Sequence, residues 1–288
     1  MPSLIFSLLS LSVLPFPPII SHFSLRCEIN DILKAQMEKI LFFDTETTDI
    51  QSKDIVQLAI LKDSGEILNM YFNPIQKVSY SAMAIHHLTP EFLKRYQPFQ
   101  DATLPKDFKD VEYKGTQLKE YLQYLAKEYI WVAHNIEFDA EVLEKKGIDI
   151  SKKICTFKLA RNMFEEEGMD IESYSLQYLR YYLGLYKKEN KEHNKAHDAL
   201  SDVFFLRDLY KYIEKNSKFT TEQMIQITRE PAFMRNINFG KYAGRALVDI
   251  AKEDRGYLEW LKENLTEKDD LEWNIDRVLY AGGKTLFD

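Results

Sequence analysis

The sequence predicts an α/β domain followed by a small, mostly helical region. Three apolar stretches near the amino terminus are separated by short polar turns, which predicts consecutive β-strands. Further along, apolar strand-like segments are followed by helical patterns, and this alternation predicts helices packed on a sheet. Beyond residue 237 only helical spacing recurs. At 288 residues, the chain is long enough to bury a sizeable core.

The first half of the chain carries most of the predicted sheet. Its short turns predict an antiparallel meander for the first three strands, because a tight connection cannot join parallel neighbours. A fourth strand follows an amphipathic helix, whose apolar residues recur every three or four positions. The predicted elements are strands at Ile40–Thr47, Ile55–Leu61 and Ile67–Phe72, a helix at Ser81–Tyr96 broken at Pro90, a helix at Thr116–Lys127 and a strand at Tyr129–Ala133.

The second half is predicted to be mainly helical. Glycines that follow apolar periodic segments predict two helix ends, at Gly147 and Gly184. The predicted helices run to Lys146, then over Ile154–Met163, Leu176–Leu183 and about Asp198–Lys215. The chain therefore divides into an apolar extension at residues 1–36, a large domain at residues 37–215, a polar linker at residues 216–236 and a small module at residues 237–288.

Charge and cysteine usage narrow the class of protein. Lysine and arginine number 38 against 45 aspartate and glutamate, and the net charge of −7 argues against a protein that coats nucleic acid by bulk electrostatics. A nucleic-acid enzyme is not excluded, because bound cations supply the positive charge of acidic metal sites. Cys27 and Cys155 lack the spacing of a zinc site or a disulfide framework, so a reducing, cytoplasmic location is expected.

The apolar residues 1–36 fit neither a membrane anchor nor a secretory signal. No lysine or arginine occurs among the first 25 residues, and three prolines interrupt any helix there. Met37 stands just ahead of the first predicted strand and can serve as the natural start. We therefore expect no membrane association and treat residues 1–36 as a dispensable extension outside the fold.

Four carboxylates occupy places where apolar residues are expected. Asp44 and Glu46 lie two apart on the first strand, so both side chains point to one face and can converge on a cation. Taken alone, an Asp-x-Glu pair is more often a strand end that enters a polar loop. Asp139 follows the fourth strand, and Asp202 lies beside the apolar stripe of a late helix, where an inward carboxylate needs a partner.

Three motifs that contain these acids follow one another in a fixed order. They are Phe43-Asp44-Thr45-Glu46-Thr47, Ala133-His134-Asn135-Ile136-Glu137-Phe138-Asp139 and His197-Asp198-Ala199-Leu200-Ser201-Asp202. Each motif could arise by chance, but together they resemble the DEDDh family of 3'-to-5' exonucleases. The resemblance implies a ribonuclease H-like fold, in which helices flank a mixed sheet.

The tail of the chain carries a second resemblance. Its segments are Phe239-Gly240-Lys241-Tyr242-Ala243-Gly244 and Asp254-Arg255-Gly256-Tyr257-Leu258-Glu259-Trp260-Leu261. They resemble the small C-terminal module of exonuclease X-like proteins, which implies a small, mostly helical C-terminal domain. With this module, the resemblance covers about residues 37–279.

The family resemblance implies a role for each acid. Asp44, Glu46, Asp139 and Asp202 are assigned as ligands of two Mg²⁺ or Mn²⁺ ions, and His197 is assigned as the general base. The chemistry agrees, because phosphodiester hydrolysis needs a hydroxide nucleophile, a stabilised leaving group and a neutralised phosphate. Two divalent ions about 3.5–4 Å apart supply all three. Histidine can take the proton of the attacking water, since its ordinary pKa lies near neutral pH.

The same resemblance assigns contacts to the 3'-terminal nucleotide. The residues at the matching places are Thr45, Thr47, Asn135 and Phe138. The segment Ile85-His86-His87-Leu88-Thr89 also resembles the family's Ile-His-Gly-Ile-Thr segment near the 3' end, although His87 replaces the glycine. His86 is therefore assigned to substrate binding as well.

Two further features have plainer alternatives. The loop Lys187–Lys195 holds four lysines ahead of His197 and could guide phosphate, although a mixed-charge loop is usually only solvated. Tyr178, Tyr181 and Tyr182 recur at helical spacing. This spacing favours a packed core over a platform that stacks on bases.

We expect metal-dependent removal of mononucleotides from a free 3' end of DNA. RNA exonucleases of the RNase T or oligoribonuclease type use the same five catalytic positions, so RNA is the alternative substrate. A non-catalytic nucleic-acid-binding or polymerase-docking module is a rival of another class, but it predicts an incomplete set of metal ligands. A DNA polymerase is a candidate partner.

Deletion of residues 1–36 is expected to leave folding and nuclease activity unchanged, because the first strand needs nothing upstream of Met37. Chemical denaturation and oligonucleotide digestion, compared between the full and the shortened chain, measure both properties. A loss of either property would show that the extension belongs to the functional fold.

Overall fold

The computed structural model of the chain describes residues 38–169, 171–188, 197–264 and 269–280. Lys39–Asp288 form one compact unit. The predicted extension at residues 1–36 lies outside the described residues, and so does most of the loop Lys187–Lys195.

A five-stranded mixed sheet forms the centre of the fold. Its strands are β1 (Ile40–Thr47), β2 (Ile55–Lys62), β3 (Ile67–Tyr71), β4 (Ile130–Ala133) and β5 (Lys153–Cys155), in the spatial order β3-β2-β1-β4-β5. β1, β2 and β3 pair antiparallel, as their short turns predict, whereas β4 runs parallel to β1 and β5 runs parallel to β4. The carboxyl ends of β1, β4 and β5 therefore meet at one edge of the sheet.

Helices flank this sheet and make up the carboxyl-terminal region. They are α1 (Tyr80–His86), α2 (Pro90–Leu93), α3 (Leu118–Glu128), α4 (Ile136–Glu144), α5 (Thr156–Glu166), α6 (Leu176–Tyr182), α7 (Ala199–Asn216), α8 (Thr221–Arg229), α9 (Leu247–Glu253), α10 (Arg255–Asn264) and α11 (Asp269–Tyr280). The predicted break at Pro90 separates α1 from α2, and the proline takes the first helical position, where its missing N–H is not needed. None of the helices in the described ranges is long and apolar enough to cross a membrane.

The two faces of the sheet bury separate apolar cores, because side chains alternate along each strand. Leu41 and Phe43 of β1 face the first core, where Phe43 packs edge-on against Trp131 with ring centroids 4.8 Å apart. Ile40 and Phe42 face the second core, which α5 and α7 close. The sheet is therefore covered on both sides, as an α/β layered fold requires.

The acids of β1 continue the face that packs on α7. Glu46 lies opposite Gln57 of β2, and the register shifts directly after it, between Glu46 and Thr47. A shift of this kind re-aims the neighbouring side chains. Because α7 lies against β1 and β2, it brings Asp202 to the same face as Asp44 and Glu46.

The prediction of a helix over Ile154–Met163 is wrong at its start. Ile154 and Cys155 belong to β5, and α5 begins only at Thr156. A three-residue apolar run carries no periodicity that separates a strand from a helix. Pairing with β4, which is a tertiary contact, decides the outcome.

The predicted linker at residues 216–236 contains α8, which packs on β5 and α5. Thr220 and Gln223 form a capping box at its start, and Met224 and Ile227 are buried in the second core. The hydroxyl of Thr228 accepts the backbone N–H of Cys155 at 2.8 Å. The division of the chain into separate domains stays a prediction.

The carboxyl-terminal helices α9, α10 and α11 enclose a third apolar core. The side-chain amide of Asn274, fully buried on α11, donates to the carbonyl of Ala232 and accepts the N–H of Met234, both at 2.9 Å. The next residue, Arg235, donates its N–H to the carboxylate of Glu165 on α5 at 2.5 Å. The segment that precedes α9 is thereby tied to α5 on one side and to α11 on the other.

A buried ion pair joins Lys62 of β2 to Asp110, and the two side chains are only 2% and 1% exposed. The hydroxyl of Tyr121 donates to Asp110 at 2.7 Å, and the Lys62 ammonium lies 4.7 Å from the ring centroid of Tyr129. Burial by itself raises the pKa of Asp110. The hydrogen bonds from Lys62 and Tyr121 outweigh burial and hold this pKa below its ordinary value.

Replacement of Asp110 by Ala is expected to lower the free energy of unfolding by about 3–5 kcal/mol, because the lysine charge then stays buried without its partner. The double variant Lys62→Met, Asp110→Leu is expected to lose much less, since no charge remains buried. Chemical denaturation near neutral pH measures both values. Equal losses in the single and the double variant would contradict this account of the pair.

Candidate active site

A cleft of about 440 Å³ opens where the carboxyl ends of β1 and β4 meet. It is lined by Asp44, Thr45, Glu46, His134, Asn135, Phe138, Asp139, Ser175, Leu176, Gln177, His197 and Asp202. All five residues predicted to be catalytic lie here, together with three of the residues predicted to bind substrate. Thr47 and His86 do not line the cleft.

Three of the four predicted metal ligands converge in this cleft. Carboxylate oxygens of Asp44, Glu46 and Asp202 lie within 4.8 Å of one another. Cations that bind oxygen ligands at about 2.0–2.6 Å can bridge such a spacing. Asp139 lies in the same cleft, where its Oδ1 accepts the N–H of Thr45 at 3.0 Å and the hydroxyl of Thr45 at 2.5 Å. These hydrogen bonds fix the start of α4 against β1.

Burial raises the pKa of each acid, and repulsion from neighbouring carboxylates adds to it for Asp44, Glu46 and Asp202. Burial, with the charges of Asp202 and Asp139 adding to it, raises the pKa of Glu46 to about 8. Burial raises the pKa of Asp139 and of Asp202 to about 7, against the opposing hydrogen bonds from Thr45 and from His197 respectively. The pKa of Asp44 also lies well above its ordinary value, again mainly through burial.

The donor set fits a hard divalent cation. All of its ligand atoms are carboxylate oxygens, which Mg²⁺ and Mn²⁺ prefer over nitrogen or sulfur. Four clustered carboxylates repel one another, and a divalent charge removes this repulsion. The exonuclease-type acids of the sequence motifs therefore form a site that can hold divalent metal.

A chain of hydrogen bonds orients Asp202. Its Oδ2 accepts the N–H of His197 at 3.1 Å, and its Oδ1 accepts the side-chain amide of Gln177 at 2.8 Å. Arg180, only 2% exposed, donates to Oε1 of Gln177 at 3.0 Å, and its guanidinium lies 3.7 Å from the ring centroid of Phe205. Arg180 thereby holds the Gln177 amide with its NH₂ toward Asp202. Such outer partners fix the geometry of a metal-binding carboxylate.

The two histidines of the cleft differ in what they can do. His134 uses both nitrogens, with Nδ1 3.0 Å from the Thr156 hydroxyl and Nε2 2.8 Å from the Tyr174 carbonyl. Burial lowers the pKa of His134 to about 4, so this ring stays neutral and braces the end of β4. His197 is exposed, and its φ of +59° turns the chain ahead of α7. Of the two residues, His197 is the more exposed to solvent.

His86 does not line the cleft; its ring joins the end of β1 to the segment after α1. It is 4% exposed, its Nε2 lies 3.2 Å from the Thr47 carbonyl, and its Nδ1 accepts the N–H of Leu88 at 3.0 Å. Because Nδ1 accepts, Nε2 carries the proton and donates to Thr47. The neighbouring His87 ends α1 with a φ of +63°, a left-handed conformation that glycine usually supplies.

Sequence reasoning missed His134, Ser175, Leu176 and Gln177 as parts of the cleft. Ser175 carries a recognisable signal, since its hydroxyl accepts the N–H of Tyr178 at 3.3 Å and caps α6. That signal predicts where the helix begins, but not what the helix faces. Asp198 takes the cap position of α7, but its side chain accepts the amide of Gln57 at 2.8 Å instead of capping the helix.

Comparison with known proteins identifies the family. The family described as "Exonuclease" matches residues 41–210, which is more than half of the chain. The chain belongs to this exonuclease family. The predicted 3'-to-5' exonuclease activity and the ribonuclease H-like fold are thereby confirmed. The family described as "Exodeoxyribonuclease X-like C-terminal" matches residues 237–266, within the tail where the sequence showed its second resemblance.

Individual relatives carry related names. Exodeoxyribonuclease 10 of Escherichia coli (strain K12) is 32% identical over 225 residues, which make up 77% of this chain and 90% of that protein. DNA polymerase III subunit epsilon of Rickettsia prowazekii (strain Madrid E) is 28% identical over 142 residues, or 43% of this chain and 55% of that protein. A solved structure of exonuclease X in complex with 5' overhanging duplex DNA is 27% identical, with a TM-score of 0.47, and covers 66% of this chain and 99% of that one.

Without divalent cations, this exonuclease is expected to lose stability as the pH rises from about 4 to about 8, between the ordinary pKa of these acids and their raised pKa in the folded state. The folded state raises the pKa of Glu46, Asp139 and Asp202 to about 7 or 8, so it binds protons that the unfolded chain releases. The stabilisation is complete at low pH and disappears as the pH passes these values. Thermal unfolding in EDTA across this range measures the effect.

A divalent cation should restore the unfolding temperature more at the alkaline end of the range than at the acidic end, because cations and protons compete for the same oxygens. The variant Asp202→Asn is expected to flatten the pH dependence in EDTA. An unfolding temperature of the native protein that does not change with pH in EDTA would contradict the raised pKa values.

Proposed function

We propose that this exonuclease removes nucleotides one at a time from the 3' end of DNA and that it uses two divalent cations, Mg²⁺ or Mn²⁺. The observation that carries the proposal is the convergence of Asp44, Glu46 and Asp202 within 4.8 Å, in one cleft with Asp139 and His197. The relative named exodeoxyribonuclease supports DNA as the substrate. A count of two cations matches four carboxylate ligands in charge.

The four carboxylates and His197 have separate tasks in this reaction. Asp44, Glu46, Asp139 and Asp202 would hold the cations, which when bound activate water and neutralise the charge of the phosphate. The imidazole of His197 accepts a proton from the attacking water and passes it to solvent.

Side chains beside the carboxylates would hold the terminal nucleotide. Asn135 and Phe138 flank the acids, and both line the cleft. The ammonium of Lys53 lies 4.6 Å from the Phe138 ring centroid, and Lys53 is also paired with Glu141 on α4. This contact supports the ring against which the nucleotide would lie.

Three narrower predictions accompany the proposal. RNA is the alternative substrate, and its cleavage would need the same acids. The likeness to a polymerase subunit over 142 residues motivates the proposal that a DNA polymerase is a partner. A cytoplasmic location stays a prediction from the use of cysteine; Cys155 is free and buried in the sheet.

The variants Asp44→Ala and His197→Ala are expected to lose nuclease activity, the first by removing a metal ligand and the second by about 100-fold or more through loss of the base. The exposed residue Asp149 supplies a matched control, and Asp149→Asn should retain native activity. The assay uses matched DNA and RNA oligonucleotides labelled at either end, with Mg²⁺, Mn²⁺ or EDTA.

A ladder that shortens from the 3' end, on DNA more than on RNA and only with a cation, is the expected pattern. Full activity of Asp44→Ala or of His197→Ala would refute the catalytic assignment. Activity on RNA alone would refute the proposed substrate and leave the assignment of the catalytic residues intact.

A further inference from the structure

An exposed band of tyrosines begins next to the catalytic cleft. We define the tyrosine band as Tyr178, Tyr181 and Tyr182 of α6 with Tyr186 of the 3-10 turn Leu185–Lys188. Tyr181, Tyr182 and Tyr186 are 57%, 46% and 44% exposed, whereas Tyr178 packs against the second core. The helical spacing predicted core residues here, and that prediction is wrong for Tyr181 and Tyr182.

The band is continuous with the cleft. Gln177 lines the cleft, and Tyr181 lies one helical turn after it on the same side of α6. The rings of Tyr178 and Tyr182 are stacked, with centroids 5.8 Å apart and planes 18° from parallel. The rings of Tyr181 and Tyr186 follow, with centroids 5.4 Å apart. A series of aromatic surfaces therefore leads away from the carboxylates along α6.

Positive charge accompanies these rings. The guanidinium of Arg180 lies 5.0 Å from the ring centroid of Tyr181, and the ammonium of Lys187 lies 5.9 Å from that of Tyr186. Lys187 and Lys188 are both exposed at the end of the band. Arg180 is buried and supports the Tyr181 ring, so the exposed charge comes from the two lysines. In a chain whose net charge is −7, exposed lysines beside exposed rings are the composition of a surface that binds single-stranded nucleic acid.

We propose that the tyrosine band binds the single-stranded DNA segment that lies on the 5' side of the terminal nucleotide. The bases stack on the rings, and the phosphates lie near Lys187 and Lys188. The proposal rests on the proposed function, because a strand whose 3' end occupies the cleft must leave it along some surface. Stacking accepts every base, so binding to this surface would not depend on the base sequence.

The length of the band suits a few nucleotides. The helix rises about 7.5 Å from Gln177 to Tyr182 at about 1.5 Å per residue. Stacked nucleotides advance by about 3.4 Å each, so α6 spans about two of them. Tyr186 extends the band beyond the end of α6, which gives room for a further base.

The test measures binding while cleavage is prevented. Fluorescence anisotropy with a single-stranded oligonucleotide labelled at its 5' end is recorded in EDTA for the native protein and for the triple variant Tyr181→Ala, Tyr182→Ala, Tyr186→Ala. The triple variant is expected to bind about 5-fold more weakly or worse, as loss of base stacking predicts. Phenylalanine at the same three positions should restore binding, because it keeps the rings.

Tyr280 of α11 supplies the matched control, since it is 67% exposed and lies outside the band. Tyr280→Ala should bind DNA like the native protein, and all variants should unfold at the native temperature because the exchanged side chains are exposed. Abasic sites at the second to fourth positions from the 3' end should weaken binding by the native protein but not by the triple alanine variant.

Native affinity in the triple alanine variant would overturn the proposal. Equal sensitivity of both proteins to the abasic sites would also overturn it, because the bases would then meet some other surface. Both outcomes come from binding measurements in EDTA, where no DNA is cleaved. A failure of the proposed function would appear in a different experiment, as a native protein that releases no nucleotides from any 3' end in the presence of Mg²⁺ or Mn²⁺.

Discussion

Four carboxylates held in one cleft, where partial or full burial and repulsion between them disfavour their charge, are the constraint on which the rest of this structure depends. Asp44, Glu46, Asp139 and Asp202 come from β1, α4 and α7, and each is held where its own charge is disfavoured. Protons can relieve the repulsion, and so can divalent cations. The site therefore favours either a partly protonated state or a metal-bound state.

Rigid elements are needed to hold these groups together against their repulsion. Strand pairing fixes β1 between β2 and β4, and Gln57 of β2 accepts the N–H of Ala199 at 3.4 Å while it donates to Asp198. This buried amide links the strand opposite Glu46 to the start of the helix that carries Asp202. The apolar cores on both faces then resist any separation of the layers, which would let the acids move apart.

The sequence alone was enough to predict that the four carboxylates and His197 lie together in the cleft, because their chemistry restricts both the residue types and their order along the chain. The five residues that the cleft brings together could be singled out because a strand, a strand-to-helix junction and a helix start each carry an acid or a histidine that core packing does not require; their catalytic role stays a prediction. β5 could not be predicted, because three residues give no periodicity and a parallel partner supplies the pairing. The place of Gln177 in the cleft and the exposure of Tyr181 depend on how α6 packs against α7. Helical spacing alone does not determine that packing.

The helix α8, which lies within the predicted linker, packs against the edge strand β5 of the sheet. β5 is the last strand of the sheet, and an unprotected last strand is a template for pairing with another molecule. Here α8 occupies that border, and the Thr228 hydroxyl takes the Cys155 N–H that a foreign strand would otherwise use. A chain cut at residue 215 would keep His197 and the four carboxylates of the cleft and yet leave this border uncovered. Residues 216–236 therefore cover the outer strand of the sheet as well as continue the chain toward α9.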